Sequence, residues 1–363
     1  MFLKKSSVKL FCALCAASFA LSLSGCANPG AEDEKYAAML AKFKSEMSDS
    51  GGSDLSANVG IRIGSVNMGM NGEWYSEVMN GIKDAAEDLG ATAMMLDSAG
   101  SLEKERENIR RLVDEGIDAL VISPRDSTES IETLQPAVDA GIPIITWNTN
   151  VNMDVTSFVC VDSTALGGDT GDYLCEYIKT YGLTDINLVI VDNKTYDVGV
   201  ARCDGFKAAV KTMVDRRIIN IVDEYDAETF DAGEERMTEC LKQHPEMNAV
   251  WVWNQPSLLG TIEAIRKADR TDIMVMGADM SMDLAHDMLG DEVNLLSVTT
   301  QMPYNMGYKS VAAAIDAVQG KPVDKTIVIP LFTYTKNDRE LVERYIKAHQ
   351  DLIEWKGGQW YDE

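Results

Sequence analysis

Histidine is scarce in this chain: three residues in 363, at positions 244, 286 and 349. Each falls in a helical segment or at its end, with no motif nearby to supply a serine or cysteine partner. Beyond residue 26 the cysteines form no C-x-x-C pair, and the sequence holds neither a Walker loop nor a G-x-S-x-G elbow. An enzyme needs a nucleophile with its base, a metal cluster, or carboxylates poised across a cleft. None can be read here, so no catalytic residue, metal or cofactor is expected. Basic residues are also few, 33 Lys and Arg against 58 Asp and Glu, for a formal charge of −25. Nucleic acid and anionic membrane surfaces are therefore poor partners. After residue 25 no segment approaches the roughly 18 uninterrupted apolar residues that a membrane helix requires.

What is present begins with a targeting segment. Lys4, Lys5 and Lys9 make a basic start, and the run from Leu10 to Leu23 is apolar but too short to span a bilayer, the pattern of a secretion signal. It ends Leu23-Ser24-Gly25-Cys26, which resembles the lipobox of bacterial lipoproteins. The resemblance implies cleavage before Cys26 and lipidation of that residue, so the membrane anchor is lipid. Removal of residues 1–25 takes three lysines and no acid, moving the formal charge from −25 to −28. Four cysteines then belong to the folded region, Cys160, Cys175, Cys203 and Cys240. Widely spaced, with two in apolar runs, they read by default as buried thiols, with a disulfide left open to an exported protein.

Residues 26–58 read as the lipidated cysteine followed by a polar, flexible tether. From Val59 onward, short β-rich runs alternate with helical patterns, the signature of parallel α/β layers. The segment 59–66 reads as a strand, and Tyr75, Val78, Met79, Ile82, Ala85, Ala86 and Leu89 then recur at helical spacing until Gly90 stops the helix. Further strands are expected near 92–97, 118–123, 143–147 and 157–161. A second series follows near 186–191, 217–223, 248–253, 273–277 and 295–300. Ten strands strain one open sheet, so two lobes are expected.

In such sheets ligands sit beyond the carboxyl ends of the strands. The residues there are Asn71-Gly72-Glu73-Trp74-Tyr75, Ser123-Pro124-Arg125-Asp126, Asn148-Thr149-Asn150, Asp192-Asn193, Glu224 to Phe230, Asn254-Gln255, Asp279 and Gln301. Amides, carboxylates and arginines supply the mixed donors and acceptors that hydroxyls need, while aromatic faces cover the C–H faces of a sugar ring.

In order along the chain stand Gly81-Ile82 with Ala85-Ala86, Ser123-Pro124-Arg125-Asp126, Gly141-Ile142-Pro143-Ile144, Leu166-Gly167-Gly168, Arg202-Cys203-Asp204-Gly205-Phe206 and Gly277-Ala278-Asp279. Together, over about residues 59–328, they make the chain resemble periplasmic sugar-binding proteins of the ribose and galactose type, which share the LacI-like ligand fold. The resemblance implies an α/β protein of two doubly wound parallel-sheet lobes joined by a hinge. Lobe 1 would hold residues 59–161 and 302–330, and lobe 2 residues 162–301 and 331–363. It implies ligand contacts at Trp74, Tyr75, Asn148, Arg202, Phe230, Asn254, Asp279 and Gln301, with Asn71 and Glu73 as further candidates. Each has a plainer reading: Trp74 and Tyr75 as core, Asn148 and Asn254 as strand-end caps, Arg202 and Asp279 as a structural ion pair. Gly72 and Thr149 depart from the family pattern and bear on which sugar is bound. The expected function is capture of a monosaccharide by hinge closure and its delivery to an ABC transporter permease, by a monomer anchored outside the cell membrane. The alternatives are a coreceptor for a membrane sensor kinase and a non-sugar polar ligand.

Overall fold

The computed structural model describes residues 58–70, 72–349 and 360–361; the signal, Cys26, the tether and Asn71 lie outside them. The described chain forms two compact units, residues 58–160, 302–330 and 360–361 in the first and residues 161–301 and 331–349 in the second. In the first, β1 (Arg62–Asn67), α1 (Glu73–Leu89), β2 (Thr92–Asp97), α2 (Leu102–Asp114) and β3 (Ala119–Ile122) are followed by short α3 (Ser130–Thr133) and α4 (Gln135–Asp139), then β4 (Ile144–Trp147) and β5 (Ser157–Cys160). The second continues with α5 (Ser163–Tyr181), β6 (Ile186–Asp192), α6 (Asp197–Asp215), β7 (Ile219–Asp226), α7 (Phe230–Gln243), β8 (Ala249–Val252), α8 (Gln255–Lys267), β9 (Met274–Ala278), α9 (Met282–Leu289) and β10 (Asn294–Thr300). The chain then returns with α10 (Pro303–Val318) and β11 (Thr326–Val328), crosses back for β12 (Phe332–Thr335) and α11 (Arg339–His349), and ends in β13 (Trp360–Tyr361).

Both sheets share one order. The central strands run β2-β1-β3-β4-β5 in the first and β7-β6-β8-β9-β10 in the second, all parallel. Strands covered by helices on both faces need apolar residues at every position, and β3, β4, β8 and β9 are buried throughout. The edges carry what the sequence pattern did not signal: β11 beside β5 in parallel, β12 antiparallel to β10 and β13 antiparallel to β2. The expectation that residues 331–363 lie wholly in lobe 2 is corrected here, because Trp360 and Tyr361 pair with Met94 and Ala93 of the first sheet.

The glycines of the family motifs mark where helices meet. A Cβ on Gly81 would stand 2.0 Å from the Tyr304 carbonyl oxygen, and one on Gly307 2.1 Å from that of Val78, so α1 and α10 touch backbone to backbone. Gly167 and Gly205 do the same for α5 and α6, at 1.8 Å from the Arg202 carbonyl and 1.9 Å from that of Thr164. Gly233 and Gly260 join α7 to α8 in the same way. Cys175, Cys203 and Cys240 are buried and free of disulfides. Burial pushes the Cys203 and Cys240 thiols up to about 12.

Candidate functional site

In a sheet ordered 2-1-3-4-5, successive connections leave to opposite faces where the order reverses, opening a crevice at the carboxyl ends of the strands. That point lies between β1 and β3 in the first unit and between β6 and β8 in the second. The helices entering at these points are α1, which starts with Glu73, Trp74 and Tyr75, and α6, which carries Arg202.

In the second unit Arg202 is 3% exposed. Its Nη1 donates to Asp279 Oδ2 at 2.7 Å and to the Trp253 carbonyl at 2.8 Å, and its Nη2 donates to Asp279 Oδ1 at 3.3 Å. Gln301 Nε2 donates to Asp279 Oδ1 at 2.7 Å. Three residues from α6, the end of β9 and the end of β10 thus form one bonded group, although 99 positions separate Arg202 from Gln301 in the chain. Asp279 has φ 66°, a left-handed conformation that Asp tolerates better than branched residues. The carboxylate cancels the arginine charge, so the group is polar with no net charge.

The other two candidates of this unit serve differently. Asn254 caps α8, its Oδ1 accepting from Ser257 N at 3.1 Å and from the Ser257 hydroxyl, while Nδ2 donates to the Glu228 carbonyl at 3.0 Å. That is the cap reading, and it fixes the loop before α7. Phe230 is 41% exposed and lines an open pocket of about 390 Å³ with Leu259, Glu263, Arg266, Asp283, His286 and Asp287. No other candidate lines that pocket. Trp253 was missed by sequence reasoning, yet its carbonyl holds Arg202 and its indole Nε1 donates to the Ala227 carbonyl at 2.7 Å. The only signal for it was its place just before Asn254 at a strand end.

In the first unit Trp74 meets Tyr75 edge-on at 5.1 Å and lies 6.0 Å from Trp147, tilted by 36°. Both tryptophans have a buried indole nitrogen with no hydrogen-bond partner among the described residues. Tyr75 is raised in pKa by burial first and by the Asp97 charge second. Asn148 follows Trp147 with φ 60°, exposed, its side-chain amide bonded to none of the described residues. Glu73 is half-buried in the first turn of α1. The Arg125 guanidinium, on a side chain 41% exposed, pairs with Glu129 at 3.1 Å. Asp126 accepts from the Glu129 and Thr128 backbone N–H groups, which hold its carboxyl below the usual range.

A cluster of Asp192, Cys203 and Glu224 brings ligating atoms within 4.8 Å of one another. Lys207 and Lys194 both pair with Glu224, and burial pushes the Cys203 thiol up.

Residues 63–322 match the family described as periplasmic binding protein domain. The chain is 25% identical over 301 residues to the ABC transporter periplasmic-binding protein YphF of Escherichia coli K12, covering 80% of this chain and 90% of that one. It is 27% identical over 269 residues to the ribose import binding protein RbsB of the same organism, covering 72% and 88%. A solved periplasmic ribose ABC transporter protein from Conexibacter woesei superposes with a TM-score of 0.70 at 21% identity, over 79% of this chain and 98% of that one. These relatives are binding proteins, and the described residues contain no helix long and apolar enough to cross a membrane. With the family match spanning most of the sequence and the fold matching in both units, the chain belongs to the periplasmic binding protein domain family and has its type I architecture.

Proposed function

We propose that this chain is an exported, lipid-anchored binding protein that captures a neutral monosaccharide by hinge closure of its two lobes, leaves it chemically unchanged and delivers it to an ABC transporter permease. Family membership implies a place outside the cytoplasm, and Cys26 would hold it at the membrane. Relatives that bind ribose and galactofuranose support a sugar ligand. The observation that carries the reading is the cancelled charge of Arg202: buried and bidentate to Asp279, it has no free charge to offer a carboxylate or phosphate. What remains are acceptors on Asp279 and a Gln301 amide, suited to hydroxyls, with Trp74 available to cover a ring.

The test is calorimetry of residues 27–363 against D-ribose, D-arabinose, D-allose, D-galactose, D-fructose and myo-inositol, with mass spectrometry of the recovered ligand. Binding of at least one neutral sugar, recovered intact, is expected. No binding across the panel, or a ligand altered in mass, overturns the proposal.

A further inference from the structure

Met302 has a backbone conformation that its own side chain and the next residue both oppose. Its φ is 54° and its ψ 59°, the left-handed region that glycine, asparagine and aspartate visit and methionine seldom does. Pro303 follows, and the pyrrolidine ring pushes the residue before it toward extended backbone. Met302 is also the N-cap of α10, a position that is normally extended. Ser101, Asp162, Thr229, Asn254 and Ser281 show the normal form: each is extended, and its side chain accepts a backbone N–H from the helix it opens. Met302 has no side-chain cap bond.

Its place in the chain explains why the strain is kept. The chain passes from the second unit to the first between Gln301 and Met302, and no other non-glycine residue of positive φ among the described residues stands at such a passage. Just before it, the Gln301 side chain is tied to Asp279 within the second unit at 2.7 Å. Just after it, Tyr304 and Gly307 lie in the backbone contact of α10 with α1 within the first unit. Each flank is fixed to its own unit, and the backbone of Met302 absorbs the mismatch.

We propose that Met302 is a strained two-position joint: left-handed while Gln301 holds Asp279, and extended once a ligand draws the Gln301 amide to itself. This rests on the ligand capture proposed above and adds to it a residue that sets the balance between the two forms. Strain carried only by the self-bonded form favours the ligand-bound one, so the residue type at position 302 tunes affinity without touching the ligand.

Three variants of residues 27–363 test this. Met302→Gly removes the strain of the left-handed form, Met302→Val opposes that form further through its branched Cβ, and Met302→Leu keeps a side chain unbranched at Cβ. Small-angle scattering of the unliganded chain should superpose for wild type, Met302→Leu and Met302→Gly, and shift for Met302→Val. Calorimetry with any sugar of the panel that binds wild type should show Met302→Gly weakened by about fivefold, Met302→Val tightened and Met302→Leu within about twofold of wild type. Equal affinities for Met302→Gly and Met302→Val, the reverse order, or Met302→Val scattering identical to wild type overturns the joint. Where Met302→Val folds poorly, Met302→Gly against Met302→Leu decides, and equal affinity in those two overturns it. Failure of every sugar to bind wild type overturns the monosaccharide reading, and the scattering comparison then judges the joint by itself.

Discussion

Asp279→Asn separates a structural ion pair from a ligand contact. Asparagine keeps the shape of the side chain and tolerates the positive φ at this position, so the perturbation is the loss of one negative charge. An open, hydrated crevice would make that loss harmless to the unliganded fold. Arg202 is not in such a place: its side chain is 3% exposed and that of Asp279 16%, with the closest contact at 2.7 Å. Removing one partner of a buried pair costs about 3–5 kcal/mol, because the remaining charge stays buried. The Trp253 carbonyl still accepts from Arg202, and Asp279 is partly wet, so a loss of roughly 2–3 kcal/mol is expected. For a unit of this size that lowers the melting temperature by about 5–10 °C. Circular dichroism melts without ligand measure it. The double variant Arg202→Met with Asp279→Asn removes both charges and should recover most of the stability while sugar binding stays at least tenfold weaker. A single variant melting within about 1 °C of wild type refutes the buried-pair reasoning, and unchanged affinity in both variants removes the group from the ligand site.

Gly205→Ala places a methyl 1.9 Å from the Thr164 carbonyl oxygen and should lower the melting temperature sharply, whereas Gly168→Ala, with 3.9 Å of room, should be tolerated or slightly stabilising. Cys203 has its thiol pushed up to about 12 by burial, so little thiolate exists at pH 8; intact-mass measurement should show it resisting maleimide under native conditions and reacting after denaturation. Arg125→Ala should leave ligand affinity unchanged by calorimetry, since that side chain pairs with Glu129 on the surface, and affinity should barely change between low and high salt. Cys26→Ser should abolish lipidation, read as a lost detergent-phase fraction and a lower mass.

The ten central strands were legible because β-branched runs separated by amphipathic helices leave few alternatives, and their observed bounds differ from the expected ones by a few residues at most. The edge strands were not legible. Thr326–Val328 is three residues with two exposed, and Trp360–Tyr361 only two, too short for any period to show. Among the candidates, Asp279 and Gln301 stood out at strand ends and Arg202 only through the family resemblance, and nothing in sequence spacing shows that they bond to each other. Asn254 illustrates the limit: an amide after a strand and before Pro256 is equally a cap or a contact, and only its bond to Ser257 N decides that its oxygen is engaged. Phe230 lies at a helix start whose ring direction depends on how α7 meets α8, a contact set by Gly233 and Gly260 that the sequence reading did not use.

The motifs that made the family recognisable do a different job from the residues that choose a ligand. Gly81, Gly167 and Gly205 sit where helix backbones touch, and any side chain there would collide with a carbonyl. Gly277 lies within a buried strand, where a Cβ would stand 2.7 Å from Leu258. Such positions are constrained by packing whatever sugar is bound, so a resemblance carried by them transmits the fold faithfully and the ligand hardly at all. Ligand choice falls instead to positions that packing constrains less, and exposed Asn148, at the end of β4, is the candidate of that kind. Arg202 belongs to both classes: its carbonyl receives Gly167 across the helix pair while its guanidinium holds Asp279, so the spacing of α5 and α6 sets where the polar group stands. Widening that helix pair should therefore weaken binding even though no ligand contact is touched, and a ligand panel run on Gly167→Ala at a temperature where it remains folded measures the effect. Wild-type affinity in that variant would show that the guanidinium is positioned by Asp279 and Trp253 alone.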